Sequence, residues 1–240
     1  MNITKAMDRG LFALSVPKCV CCKRRLDYGN KAFCPKCYAE FEDYKSRNCS
    51  RCARPLYECD CSTEFLRAHY VSRVVKCYRY LTRDEAMTGN SLIYSLKRDN
   101  RSDVLDLCAE ELSAAILNSV QNPEKYIFTN VPRRKSAIVE FGIDHSEILS
   151  KAVAKRLGGE YMPLLKSNAK KAQKTLETAD RFKNADFYIS KDVDLTGRGV
   201  IIIDDIITTG ASVSKAASLI RSLGAKDILA AALGIAYKDD

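Results

Sequence analysis

Two adjacent carboxylates, Asp204 and Asp205, follow the β-branched run from Val200 to Ile203 in "VIIIDDIITTGAS", and Thr208-Thr209-Gly210 come directly after. The aliphatic run needs burial and unpaired carboxylates do not tolerate it, so the acids are expected at the carboxyl end of a strand, facing a crevice. Gly210 then supplies a tight turn into a helix that opens at Ala211 and Ser212. Backbone N–H groups there, with the hydroxyls of Thr208, Thr209 and Ser212, form a nest suited to a phosphate. One loop thus offers carboxylates for hydroxyls or a hydrated metal beside donors for a phosphate, and a ribose 5-phosphate fits both halves. The bland alternative is an acidic turn whose Asp205 and Thr209 only cap the next helix. Neither G-x-x-x-x-G-K-[ST] nor G-x-G-x-x-G occurs, which excludes a Walker-type loop and a dinucleotide fingerprint.

A second chemistry lies near the start of the chain. Nine of the eleven cysteines fall between Cys19 and Cys61, spaced as Cys19-x-x-Cys22, Cys34-x-x-Cys37, Cys49-x-x-Cys52 and Cys59-x-Cys61. Each quartet can close a tetrahedron of thiolates around Zn²⁺, giving one or two structural zinc sites with no open position for a substrate. Such sites fold a segment too poor in aliphatic residues to build its own core. The exposed cations expected around them, Lys23, Arg24, Arg25, Arg51 and Arg54, are either a nucleic-acid or protein contact or a solvated face that offsets thiolate charge. Cys77 and Cys108 sit in apolar periodic segments and read as core.

The elements that must position these groups alternate strand and helix from about residue 66. "YVSRVVKCYRY" reads as a strand, as do "KYIFTNVP", "EYMPLL" and the closing "KDILAAALGIAY". Helices are expected over "SDVLDLCAEELSAAILNSV" and "HSEILSKAVAKRL", the latter capped by Asp144 and stopped by Gly158-Gly159. Continuous apolar strands between helices imply an α/β fold with a parallel sheet covered on both faces. The expected division is a cysteine-rich module over residues 1–65 and an α/β domain over residues 66–240.

The formal charge of +9 divides into 12 Lys+Arg against 8 Asp+Glu in residues 1–65 and 27 against 22 in the remainder, so it is spread out rather than gathered into a nucleic-acid stripe. No run approaches the roughly 20 apolar residues of a membrane span, and the first residues lack a cleavable leader; a cytoplasmic protein with no membrane insertion is the expectation.

The motif "VIIIDDIITTGAS" is similar to the phosphoribosyl pyrophosphate (PRPP) motif of type I phosphoribosyltransferases, and with the cysteine module the chain resembles the ComF family of competence-associated phosphoribosyltransferase-like proteins. "VPKCVCC", "LIYSLK" around Lys97, "VPRRK", Gly142 and the series Gln173, Leu176, Arg181, Asn184 extend the likeness. The resemblance implies a type I phosphoribosyltransferase-like sheet behind a zinc module, with Mg²⁺-PRPP as ligand and phosphoribosyl transfer to a nitrogenous acceptor as the reaction. Asp204 and Asp205 would then hold the ribose hydroxyls near Mg²⁺, and Thr208, Thr209, Gly210, Ala211 and Ser212 the 5-phosphate. Arg133, Arg134 and Lys135, joined by Lys97, would face pyrophosphate. The basic stretch from Lys166 to Lys183, with Lys170, Lys171 and Lys174, stands where the family has a mobile covering loop. Phe141-Gly142-Ile143-Asp144-His145 departs from the Arg-Gly-Phe-Asn-Gln of many relatives. The rival implication is a non-catalytic PRPP or nucleotide sensor, or a DNA-uptake factor meeting single-stranded DNA or competence proteins through the zinc module.

Overall fold

A computed structural model describes residues 16–80, 88–133, 138–139, 142–167 and 187–236. Helix α1 spans Pro35–Lys45, α2 Glu64–Ala68, α3 Thr88–Arg98, α4 Ser102–Ser119, α5 His145–Leu157 and α6 Ala211–Ser222. Strands are β1 Arg73–Arg79, β2 Ile127–Asn130, β3 Glu160–Tyr161, β4 Leu165–Ser167, β5 Phe187–Ile189, β6 Gly199–Ile207 and β7 Asp227–Ile235. Five of the strands form one sheet in the order β1-β7-β6-β2-β3, every pair parallel, while β4 and β5 make a separate antiparallel pair. "EYMPLL" is therefore not one strand: β3 ends at Tyr161 and Leu165 opens β4 in the other sheet.

The sheet is covered on both faces, as its unbroken apolar strands require. Ile201 and Ile203 of β6 join a core with Leu112 and Ile116 of α4 and Leu149 and Val153 of α5. Val200 and Ile202 point to the opposite face, where they pack with Ala216 and Ile220 of α6 and Leu66 of α2. Period-two alternation in one strand thus divides two hydrophobic cores. Cys77 and Cys108 are wholly buried in the first of them. Asp144 caps α5 by accepting the Glu147 N–H at 3.1 Å, and Gly158 closes the helix at φ +69°.

The first cysteine quartet is embedded in the first core, because Cys19, Phe33, Cys37 and Phe41 belong to the same buried cluster as Tyr78, Leu92 and Leu112. Polar ties reinforce the junction. Lys45 pairs with Glu111 at 2.5 Å where both are nearly buried, Asp103 accepts the Ala32 N–H at 3.0 Å, and Arg101 donates to the Lys18 carbonyl at 2.6 Å. The second quartet forms a small cluster with Leu56 and rests on β1, whose Val74 N–H donates to the Asp60 carbonyl at 3.0 Å. No helix among the described residues is long and apolar enough to cross a membrane.

Candidate functional site

β2 ends at Asn130, paired with Ile203, whereas β7 continues beside β6 as far as Ile207. The acids are consequently not at the strand's last residue; they lie inside β6, just past the point where one neighbour has stopped. That one-sided loss of pairing opens the crevice at the carboxyl ends of the strands, where ligands of such sheets bind. Three elements close on the pair from the β2 side. Ser146, in the first turn of α5, donates to Asp204 Oδ1 at 3.1 Å. Arg133, three residues past β2, donates its guanidinium to Asp205 Oδ2, and Lys97 at the end of α3 reaches the same oxygen at 3.2 Å. Asp144 accepts the Arg133 backbone N–H at 3.1 Å while capping α5, so one carboxylate fixes both the cation loop and the helix start.

The two acids are electrostatically unequal. Asp205 is 4% exposed and carries two cations, an arrangement that satisfies a buried carboxylate. Asp204 has a hydroxyl and the Asp205 N–H on one oxygen. Burial and then the adjacent Asp205 charge push its carboxyl up to about 7. Bringing a polyol or a cation to Asp204 would relieve that cost.

Beyond the acids, Gly210 stands at φ +78°, a conformation that disfavours any side chain, and a Cβ there would lie 2.8 Å from the Leu66 side chain. Gly210 also serves as the N-cap of α6, and the Thr209 hydroxyl accepts the Ala211 N–H at 3.4 Å. The N-cap position is Gly210 rather than Asp205 or Thr209, while the Thr209 hydroxyl still satisfies one N–H of the first turn. The first turn of α6, with Thr208 exposed beside it, presents helix N-terminal N–H groups next to the acid pair.

Structure thus brings Arg133 and Lys97 to Asp205, while Thr208, Thr209, Gly210, Ala211 and Ser212 carry the chain from Asp204 and Asp205 on β6 into α6. Arg134 and Lys135 lie outside the described residues, as do Lys170, Lys171, Gln173, Lys174, Leu176, Arg181 and Asn184; Lys166 itself is in β4. His145 is the first residue of α5 and is buried, not presented as a solvent-facing base. Burial, followed by the Arg133 charge, holds its imidazole below the usual value and hence neutral at pH 7. Sequence reasoning missed Ser146, which has no motif of its own, and missed the structural use of Asp144 toward Arg133.

Both cysteine quartets assemble. The sulfurs of Cys19, Cys22, Cys34 and Cys37 all lie within 4.8 Å of one another, and so do those of Cys49, Cys52, Cys59 and Cys61. That spacing and donor set fit a tetrahedral thiophilic ion such as Zn²⁺. Within each quartet the thiols are unequal. Burial raises the Cys19 thiol, but N–H groups of Cys34, Cys22 and Cys21 outweigh it and bring it down to about 7. The Arg54 N–H leads in lowering Cys52 to about 6. Burial and neighbouring thiols push Cys37 upward and Cys61 up to about 12.

Lys76 of β1 is a further residue that the motifs did not flag. Its ammonium is wholly buried and donates to the carbonyls of Cys59 at 3.1 Å, Cys61 at 3.2 Å and Val74 at 3.1 Å. A lone lysine inside the apolar run "VVKCY" was the available signal.

Comparison with known proteins agrees with this geometry. A family model for the phosphoribosyl transferase domain matches residues 143–236. Competence protein ComFC of Streptococcus pneumoniae is 23% identical over 201 residues, covering 83% of this chain and 86% of that protein. DNA utilization protein YhgH of Shigella flexneri is 24% identical over 224 residues, covering 90% of this chain and 96% of that one. Ribose-phosphate pyrophosphokinase of Pyrococcus abyssi is 54% identical over only 41 residues, 17% of this chain, and the match spans just 14% of that protein's length.

Proposed function

We propose, for a chain that belongs to the ComF family of type I phosphoribosyltransferase-like proteins, that the β6 crevice binds PRPP with Mg²⁺ and transfers its phosphoribosyl group to a nitrogenous acceptor. The observation that carries this reading is the convergence of Arg133 and Lys97, from two other elements, on Asp205 beside a helix-start phosphate nest. Asp204 and Asp205 would receive the ribose 2- and 3-hydroxyls, and the turn from Thr208 to Ser212 the 5-phosphate. Arg133 and Lys97, with Arg134 and Lys135 next in the sequence, would neutralise pyrophosphate as it departs. Bound Mg²⁺ would supply charge neutralisation on the pyrophosphate oxygens. Charge develops as a cation at the anomeric carbon, so two fixed carboxylates act by position and field, and no nucleophilic side chain is needed. Calorimetric titration of Mg²⁺-PRPP into wild type and the Asp204→Asn, Asp205→Asn double variant tests the site. Micromolar binding in wild type, lost in the variant, is the expected result; a folded wild type that binds nothing would sink it.

The cysteine-rich residues 1–65 are read as a module that holds zinc at both quartets and docks on the domain of residues 66–240. A zinc tetrathiolate carries a net charge of −2, and the Lys76 ammonium is the buried counter-charge at the second quartet. Lys76→Met keeps the side-chain length and removes the charge. Chelator competition is expected to release one zinc about 10–100-fold more readily from this variant while the other equivalent is unchanged. Release of both equivalents with wild-type affinity would refute that role.

A second reading is supported by the exposure of Lys23, Arg24 and Arg25 together with Tyr28, 48% exposed, on the first cysteine turn. Basic groups beside an exposed aromatic suit single-stranded nucleic acid, and the relatives carry the names competence protein and DNA utilization protein. On this reading the chain is a DNA-uptake factor, and salt-dependent oligonucleotide binding persists when both acids are replaced.

A further inference from the structure

α2 runs for only five residues, Glu64–Ala68, and begins three residues after Cys61 of the second quartet. A helix that short has no stability of its own, so its position is set by what ties it on either side. On the quartet side the tie is Ser62, which is buried. Its carbonyl accepts the guanidinium of Arg51, the residue before Cys52, at 3.0 Å, and its hydroxyl donates to the Val71 carbonyl at 2.8 Å. The Arg51 backbone N–H in turn donates to the Cys49 sulfur at 3.5 Å. Thr63 then caps the helix by accepting the Leu66 N–H at 3.2 Å.

On the domain side the tie is Leu66, buried against the turn into α6. A Cβ on Gly210 would lie 2.8 Å from its Cδ2, 2.9 Å from its Cγ and 3.3 Å from its Cδ1, so the end of the leucine covers that glycine. Ile207 before the turn and Val213 after it belong to the same buried cluster as Leu66. Glycine has the widest backbone choice of any residue, so the conformation of Gly210 has to be imposed from outside. Leu66 is placed to impose it. The N–H groups that open α6 converge on an anion only while this turn keeps its shape, and a donor set fixed in advance binds more tightly than one that must first be ordered. Cys19 and Cys37 of the first quartet belong instead to the core on the opposite face of the sheet.

Taking the β6 crevice as the ribose-phosphate site proposed above, on which the inference rests, we infer that Leu66 is a positioning residue for the phosphate turn and that the second quartet, closed on its metal, keeps Leu66 in place. Metal binding at that quartet and 5-phosphate binding at the turn then strengthen each other. An open quartet frees the Cys49–Cys52 knuckle, and Arg51 and Ser62 with it, so α2 loses the tie that holds Leu66 over Gly210. Linkage makes the effect reciprocal: whatever factor the metal adds to ligand affinity, the ligand adds to metal affinity.

Calorimetric titration of Mg²⁺-PRPP compares the full, zinc-loaded wild type with Cys52→Ser, Leu66→Ala and the size-conserving Leu66→Met. Affinity is expected to fall about tenfold in the first two variants and to stay near wild type in Leu66→Met. A zinc-selective chelator titrated into wild type supplies a readout that needs no substitution. Saturating Mg²⁺-PRPP should tighten one zinc equivalent about tenfold, the one missing from Cys52→Ser, and leave the other unchanged. If Mg²⁺-PRPP binds wild type and a folded Cys52→Ser or Leu66→Ala alike, or shifts both zinc equivalents or neither, the coupling is refuted and the ribose-phosphate site stands. A chain that takes up no second zinc refutes the coupling as well. A folded, zinc-loaded wild type that binds no Mg²⁺-PRPP overturns the underlying reading, and the coupling with it.

Discussion

Cys19→Ser is expected to lower the thermal unfolding temperature of the whole chain by about 10–20 °C, the equivalent of roughly 4–5 kcal/mol, if the first quartet holds zinc as proposed. Cys19 is fully buried, and its quartet shares one apolar cluster with Tyr78 of β1, Leu92 of α3 and Leu112 of α4. Opening the first site therefore exposes Phe33 and Phe41 and uncovers the helices that carry Lys97 and the α4 side of the sheet. Phe41 also meets Tyr78 edge-on at 5.6 Å between ring centroids, a contact with no substitute once α1 departs. Cys52→Ser makes the contrast. Its quartet forms a satellite cluster with Leu56, so the main calorimetric transition should stay within about 2–4 °C of wild type, with a smaller, earlier transition split from it. Equal losses in the two variants would show that the quartets are energetically alike and that sharing a core has no consequence.

The second large effect concerns charge in the crevice, and its two arms have opposite signs. Arg133→Ala leaves the buried Asp205 carboxylate with Lys97 alone and frees the loop from its position beside the acids. Removing one partner of a buried ion pair costs about 3–5 kcal/mol, and Mg²⁺-PRPP affinity should fall with it. Asp204→Asn should instead stabilise the ligand-free protein at high pH. The Asp204 carboxyl titrates near 7 when folded and near its ordinary value, about 3.8, when unfolded. A raised carboxyl contributes stability that is fully present below the unfolded value and is lost as pH rises through the folded one. Replacing it therefore changes little at pH 8 only if that shift is absent. With the partial exposure of Asp204 and its link to Asp205, the expected gain at pH 8 is about 1–2 kcal/mol, or about 2–8 °C. At pH 4 the gain should vanish. Unfolding temperatures of the variant and wild type at the two pH values decide it, and a pH-independent difference would contradict the raised carboxyl. Ligand binding and apo stability thus oppose each other at Asp204, as expected of a group held for a ligand rather than for the fold.

Much of the candidate site was legible in order along the chain. Asp204, Asp205, Thr208, Gly210 and Ser212 sit within nine residues, so period, turn chemistry and helix start could be read together. Both quartets were legible for the same reason, since thiolate bite depends on local spacing. The cap at Asp144 and the stop at Gly158 are likewise local devices. Less legible was the strand boundary: the acids were expected at the end of β6, yet pairing with β7 carries that strand to Ile207. Strand ends are set by the neighbour's length as well as by the strand's own residues.

What the sequence alone determined is chemistry carried by close neighbours: two cysteine quartets with metal-ligand spacing, an α/β alternation, and a carboxylate pair followed by a glycine turn into a helix. Tertiary structure decided which distant groups serve them. Lys97 and Arg133 reach Asp205 from positions 108 and 72 residues away along the chain, Lys76 finds the carbonyls of Cys59 and Cys61, and three helix ends leave a cavity beside His145. The physical reason is that spacing reports only contacts the backbone's own period creates. Contacts across the chain depend on how the sheet orders its strands and on which helix ends that order brings to one edge.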